Sequence, residues 1–243
     1  MKCRITIFNC LLFLIAINSQ SQTFIETAPS GSTRDGSLIV YGMDGKNAKI
    51  PYERITGSPF WNPDWRMGAL ESPDGKSKGR LAVRLNLVTH EIHFKDNKDF
   101  ELAADDGTVA RLGYLNDKDT VAVFRNDFGP INMYYNRNKK YAQIMNGGEY
   151  RLLKVTIREV KSADSMFGTL KRYYFADRAD YFIEHGNRIE KVKKLNKEEV
   201  LSLLPRSSEM EAYIKKNKIK FSRDEDLIKL LEEYNKITAN KQP

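Results

Sequence analysis

Cysteine is scarce in this chain and sits where it cannot serve a folded domain. The 243 residues hold two cysteines. Both, Cys3 and Cys10, fall inside a leader-like first segment. No cysteine follows, which excludes disulfides, thiolate zinc sites and a cysteine nucleophile in the remaining chain. Histidine is nearly as rare, with three residues. A Ser-His-Asp triad therefore has few bases to draw on, and no Gly-x-Ser-x-Gly elbow supports one. Ser32, flanked by Gly31 and Gly36, lies in linker-like sequence. No phosphate loop is present either. Gly45-Lys46-Asn47 lacks the earlier glycine and the metal-binding hydroxyl. Apolar runs are short: the longest, Ile5 to Ile17, is about 13 residues against the ~20 a membrane-spanning helix needs.

That short run carries the clearest signal. Lys2 and Arg4 precede it, and Asn18-Ser19-Gln20-Ser21-Gln22 follows as a polar exit. This is the pattern of a secretory signal peptide over residues 1–21, cleaved after Ser21. A cysteine-free exported chain must hold itself together by core burial. About 220 residues suffice for one large domain or two small ones. The formal net charge is +8, two less once Lys2 and Arg4 leave with the leader. Export turns that basic surface away from nucleic acid and toward an envelope macromolecule, protein or glycan, with no transmembrane segment after cleavage.

Residues 22–37 read as a flexible linker, because Ala28-Pro29-Ser30-Gly31-Ser32 and its neighbours have no apolar period. Residues 38–194 carry the signals of a predominantly antiparallel β domain, a meander of barrel or sandwich type. Strands are expected at Leu38–Tyr41, Leu81–Leu87, Glu91–Lys95, Asp99–Ala103, Val109–Leu115, Thr120–Arg125, Ile131–Tyr135, Tyr141–Met145, Tyr150–Val160, Lys171–Phe175, Tyr181–Glu184 and Arg188–Val192. Asp105-Asp106-Gly107 is a turn signal, since Asp-Gly accepts positive φ. Asn136 to Lys140 reads as another turn and Lys161 to Gly168 as a loop. Residues 195–243 change to a helical period and form a cap of about three short helices. Asn196 with Glu199, Ser208 with Glu211, and Ser222 with Glu225 each match a capping box. The fold class is therefore α+β.

Candidate chemistry is sparse. His90 and His93 sit at odd spacing in a strand-and-turn region, which sends side chains to opposite faces and argues against a metal pair. Asp105-Asp106, Asp117 with Asp119, and Asp224 with Asp226 lack the alternation and closing Glu of a calcium loop. Asp224 and Asp226 suit a helix N-terminus. No cofactor or metal site is expected. The densest segment is Gly57 to Gly68, which holds both tryptophans. Its Phe60, Trp61 and Trp65 either plug one end of the sheet or offer a stacking surface. Trp61, Trp65 and Arg66 are the candidate binding residues.

Three stretches carry a family resemblance: Gly57-Ser58-Pro59-Phe60 with Trp65 and Gly68; Val83 to Leu87 with Glu91-Ile92-His93-Phe94; and Ile214 to Lys218 with Asp226-Leu227 and Tyr234-Asn235. On these the chain resembles a group of uncharacterised exported β-rich proteins common in Bacteroidetes-type bacteria. The resemblance implies export and brings no catalytic residues. The leading expectation is an exported envelope protein with a non-enzymatic binding role. The alternatives are a hydrolase that acts on an envelope polymer through paired carboxylates, and a structural accessory of a membrane complex.

Overall fold

The computed structural model describes residues 37–41, 47–116, 119–164 and 171–239. The expected signal peptide with Cys3 and Cys10, and the linker through Gly36, lie outside the described residues. Ser37–Tyr41 (β1) pairs antiparallel with Asn47–Pro51 (β2) as a separate two-stranded sheet. A 3-10 turn at Tyr52–Arg54 leads to Ile55–Thr56 (β3). The strands that follow are Arg66–Glu71 (β4), Ser77–Asn86 (β5), Glu91–Lys95 (β6), Glu101–Ala103 (β7), Arg111–Leu115 (β8), Thr120–Arg125 (β9), Ala142–Ile144 (β10), Tyr150–Asp164 (β11), Lys171–His185 (β12) and Arg188–Val192 (β13). Helices are Gly129–Tyr134 (α1), Lys197–Ser202 (α2), Ser208–Asn217 (α3) and Asp224–Ala239 (α4). The class is α+β, as expected.

Strands β3 to β13 form one sheet. Its order is β13-β12-β11-β10-β9-β8-β4-β5-β6-β7, with β3 added parallel to β12. Two antiparallel meanders, β4–β7 and β8–β13, meet where β4 pairs with β8. Gly68 stands at that seam opposite Tyr114. A Cβ there would lie 2.4 Å from Val83 Cγ2 and 2.7 Å from Leu112 Cδ1, so the close packing of β4 requires glycine.

Alternation along the strands divides the buried apolar residues among three cores. Leu70, Val83, Leu85, Ile92, Leu112, Tyr114 and Phe124 fill the concave face of the β4–β9 half. The same face, continued onto β11–β13, carries Tyr150, Leu152, Tyr181 and Ile183, and α2–α4 cover it with Val200, Met210, Leu227 and Leu230. Leu153, Val155 and Phe182 point the other way and are covered by Phe128 and Ile131 around α1. The sheet curls on itself rather than splitting into a sandwich. The Arg158 amide in β11 donates to the Leu87 carbonyl just past β5, at 3.1 Å, although these strands are not neighbours in the order.

Four local expectations are corrected. Ile131–Tyr135 is not a strand: residues 129–134 form α1, with a proline in its first turn, where the fixed φ suits helix initiation. Arg66–Glu71, absent from the expected strands, is β4. The β11 strand continues to Asp164, through residues expected to open a loop. In α3 the capping oxygen comes from Ser207, which accepts from the Met210 amide at 3.4 Å, one residue before the expected Ser208. The Asn196 cap is as expected, its Oδ1 accepting from the Glu199 amide at 2.9 Å.

The cap is fixed to the sheet by polar staples as well as by its core. Asp224 at the start of α4 accepts from Lys154 Nζ and from the Tyr181 hydroxyl, each at 2.6 Å. In the same helix Asn235 Oδ1 accepts from the Tyr150 amide at 2.7 Å, and its Nδ2 donates to the Gly147 and Tyr150 carbonyls at 3.0 Å. Gly148 makes room for this contact. Its φ is +96°, and a Cβ would fall 2.4 Å from Asn235 Nδ2.

Candidate functional site

The aromatic loop is built into the fold. It runs alongside the end of β5, with the Trp61 amide donating to the Leu85 carbonyl at 2.8 Å and the Leu87 amide to the Pro59 carbonyl at 2.9 Å. Arg158 locks it from β11. Its Nη1 donates to the Ser58 and Phe60 carbonyls at 2.7 and 2.6 Å, and its Nε and Nη2 grip Asp177 at 2.6 and 2.8 Å. The hydrogen bond from Arg158 holds the Asp177 carboxyl below its usual range.

Each of the three candidate residues has a distinct setting. Trp61 turns toward the core and stacks on Tyr114 at 4.9 Å between ring centroids, with Phe124 edge-on at 5.2 Å. Trp65 is half-buried under cations: the Arg84 guanidinium lies 4.1 Å from its ring centroid and Lys95 Nζ 5.4 Å. Arg66 is exposed. Arg84 is itself clasped, with Phe60 on its other side at 3.8 Å and Glu101 accepting from Nη2 at 2.8 and 2.9 Å. Glu101 also meets His93 Nδ1 at 2.7 Å; that bond, reinforced by Arg84, keeps the carboxyl below the usual range. The two indoles thus do not form one open platform. Their π-faces serve the core and the Arg84 cluster.

A second place has the shape of a site. Three loops at one end of the curled half enclose a cleft of about 280 Å³. The first is the turn after β5. There Asn86 Oδ1 accepts from the Val88 and Thr89 amides at 2.9 and 3.3 Å, and His90 adopts a φ of 60°. The second is the Asp105-Asp106-Gly107 turn, closed by the Thr108 hydroxyl donating to the Asp105 carbonyl at 2.8 Å. The third is Arg137 to Tyr141, where Asn136 and Arg137 take successive left-handed conformations with φ of 54° and 65°. The Asn132 carbonyl accepts from the Arg137 amide at 2.7 Å and stabilises this arrangement. Residues held in sparsely populated backbone regions concentrate where a fold positions functional groups.

The lining is strongly polar. Arg137, Asn138 and Lys139 are exposed at its mouth, Lys140 is half-buried, and His90 is buried. His90 Nδ1 accepts from the Tyr141 amide at 3.1 Å, so the ring is neutral and its nitrogen is spent as a structural acceptor. Burial, helped by the Lys140 charge, pushes His90 down to about 3. Burial likewise lowers the Lys140 ammonium from its ordinary value, with no opposing carboxylate influence. Tyr141, pushed up by burial, donates its hydroxyl to the Val109 carbonyl at 2.7 Å, and Asn126 Nδ2 reaches the same oxygen at 3.0 Å. Glu91, Asp105 and Asp106 also line the cleft. Among the described residues no group of three or more His, Asp or Glu converges as a metal site.

Two turn signals, Asp105-Asp106-Gly107 and Asn136 to Lys140, mark two of the three cleft walls. Nothing in sequence spacing says that loops about 30 residues apart face each other. That follows from the pairing of β9 with β10 and the curl of the sheet. The remaining histidine, His185, stacks on Tyr150 at 4.1 Å and meets Glu149 at 2.8 Å, at the cap side of the sheet. Comparison with family models, curated proteins and solved structures returns no match to this chain. Among the described residues no helix is long and apolar enough to cross a membrane.

Proposed function

We propose that this chain is an exported envelope protein of the periplasm or cell surface, with a binding role rather than a catalytic one, and that it binds an envelope glycan or protein in the polar cleft. The observation that carries the reading is the cleft itself: about 280 Å³, walled by three fixed loops and carrying Arg137, Lys139 and Lys140. Export rests on the leader pattern of residues 1–21 and fits a later chain without cysteine. A binding role fits the state of His90, whose Nδ1 already serves the Tyr141 amide.

The test is co-sedimentation of the purified chain with isolated envelope polymer. The Asn138→Trp variant plugs the cleft mouth without changing charge and is expected to lose co-sedimentation. Retention equal to wild type would overturn the cleft as the site. The hydrolase reading draws on one observation, that Glu91, Asp105 and Asp106 line the same cleft. It predicts release of soluble fragments by wild type and none by the Asp105→Asn, Asp106→Asn double variant.

A further inference from the structure

The cleft is lined by three cations, Arg137, Lys139 and Lys140, and by three carboxylates, Glu91, Asp105 and Asp106. At the Asp105-Asp106-Gly107 turn, Lys139 Nζ would sit 3.2 Å from a Cβ placed on Gly107. The Lys139 ammonium therefore lies against that turn. Lys140 is different. It is half-buried, whereas Arg137 and Lys139 are exposed, and among the described residues none of the three forms an ion pair. Its neighbours are the neutral His90 ring and the Tyr141 backbone, held by the hydrogen bond between them. A half-buried ammonium without a counter-charge is costly to a fold, and an anionic ligand would supply the missing charge.

We infer that the cleft takes an oxyanion, a carboxylate or phosphate group, on the Lys140 ammonium, with Arg137 at the mouth as a second cation. This rests on the cleft being the binding site and adds the chemistry of what enters it. Lys140 is the deep contact because it is the cation with its water partly removed, where a charge pair is worth most. Arg137 lies exposed at the mouth, held by a left-handed backbone, and supplies a planar fork that suits two oxygens of one group. The neutral His90 beneath adds no competing charge.

The full chain is titrated with inorganic phosphate and separately with glucuronate, each followed by calorimetry. Binding of either supports the inference, and which one binds distinguishes a phosphate-bearing from an acidic-sugar ligand. Lys140→Met is expected to weaken binding about tenfold or more, while Lys229→Met on the exposed face of α4 changes it less than about twofold. Because Lys140→Met removes a half-buried charge, its melting temperature should stay level or rise, so lost binding would not reflect lost folding. Unchanged affinity in Lys140→Met overturns the inference, as does failure of both probes with a wild-type chain that still co-sediments with envelope polymer. Failure of wild type to co-sediment would instead remove the binding role beneath it.

Discussion

The two halves of the sheet solve opposite problems. On the capped half, β11–β13 meet α2–α4 through an apolar core, and the charges at that junction are matched. Asp224 takes both Lys154 and Tyr181, and Asn235 satisfies the Tyr150 backbone. On the curled half, the loops around the cleft hold a buried neutral histidine, a half-buried lysine without an ion pair, and three left-handed non-glycine residues, His90, Asn136 and Arg137. One half is tied to its cap by an apolar core and polar staples. The other gathers left-handed residues and a half-buried lysine around one cleft. Local disagreement of this kind is retained where a fold does something besides stay folded.

The sharpest way to break this comparison is on the capped half. Leu230 is fully buried in α4 among Leu227, Leu231 and Met210. Leu230→Ala removes apolar contacts and leaves a cavity, so it should cost about 3 kcal/mol in urea unfolding. Binding in the cleft at the other end should be unchanged while the chain stays folded. A loss of binding out of proportion to the folded fraction would show that the halves are not separable.

The same division explains what could be read from the sequence. The cap was legible because helix signals are local: Asn196 with Glu199, and the spacing of Leu227, Leu230, Leu231 and Tyr234, lie within a turn or two of each other. The strand content was legible for the same reason. The partners of the strands were not. That β8 leaves its meander to pair with β4 is decided by the fit of Gly68 against Val83 and Leu112, which no local pattern encodes. Ile131–Tyr135 misled because its short apolar and aromatic run suits a strand as well as one helical turn, and Pro130 tipped it toward helix. The cleft was hidden because it is a product of that pairing. The indoles of Trp61 and Trp65 stood out by composition alone, and composition does not show which face of a ring is already taken.

The next test works on the curled half through pH. Folded His90 takes a proton only near pH 3, whereas the unfolded chain takes it near the ordinary 6.5. Below pH 6.5 the unfolded state therefore binds a proton that the folded state refuses, and stability falls as pH falls, down to about 3. Between pH 6.5 and 5 this residue should cost about 2 kcal/mol. Asp177, Asp180 and Glu101 are held below their ordinary values and act in the same direction, but only below about 4.5. His90→Asn keeps an acceptor for the Tyr141 amide and tolerates the positive φ. Chemical denaturation of the variant should show a flatter profile between pH 6.5 and 5. A profile as steep as wild type would place the acid sensitivity elsewhere.

The smallest effect concerns Trp65, and it decides between its two readings. Its ring lies under the Arg84 guanidinium, which Phe60 and Glu101 already hold in place. Removing the indole by Trp65→Ala forfeits one cation–π contact and some half-buried apolar area, about 1 kcal/mol of stability. Arg84 keeps its carboxylate partner, so the loop stays clamped by Arg158 and co-sedimentation with envelope polymer should match wild type. A Trp65→Ala chain that melts like wild type yet no longer co-sediments would reverse the assignment. It would return the binding surface to the aromatic loop and leave the cleft as an unbalanced corner of the fold. Near-neutral binding with a small, measurable loss of stability keeps the aromatic loop as part of the fold and the cleft as the site.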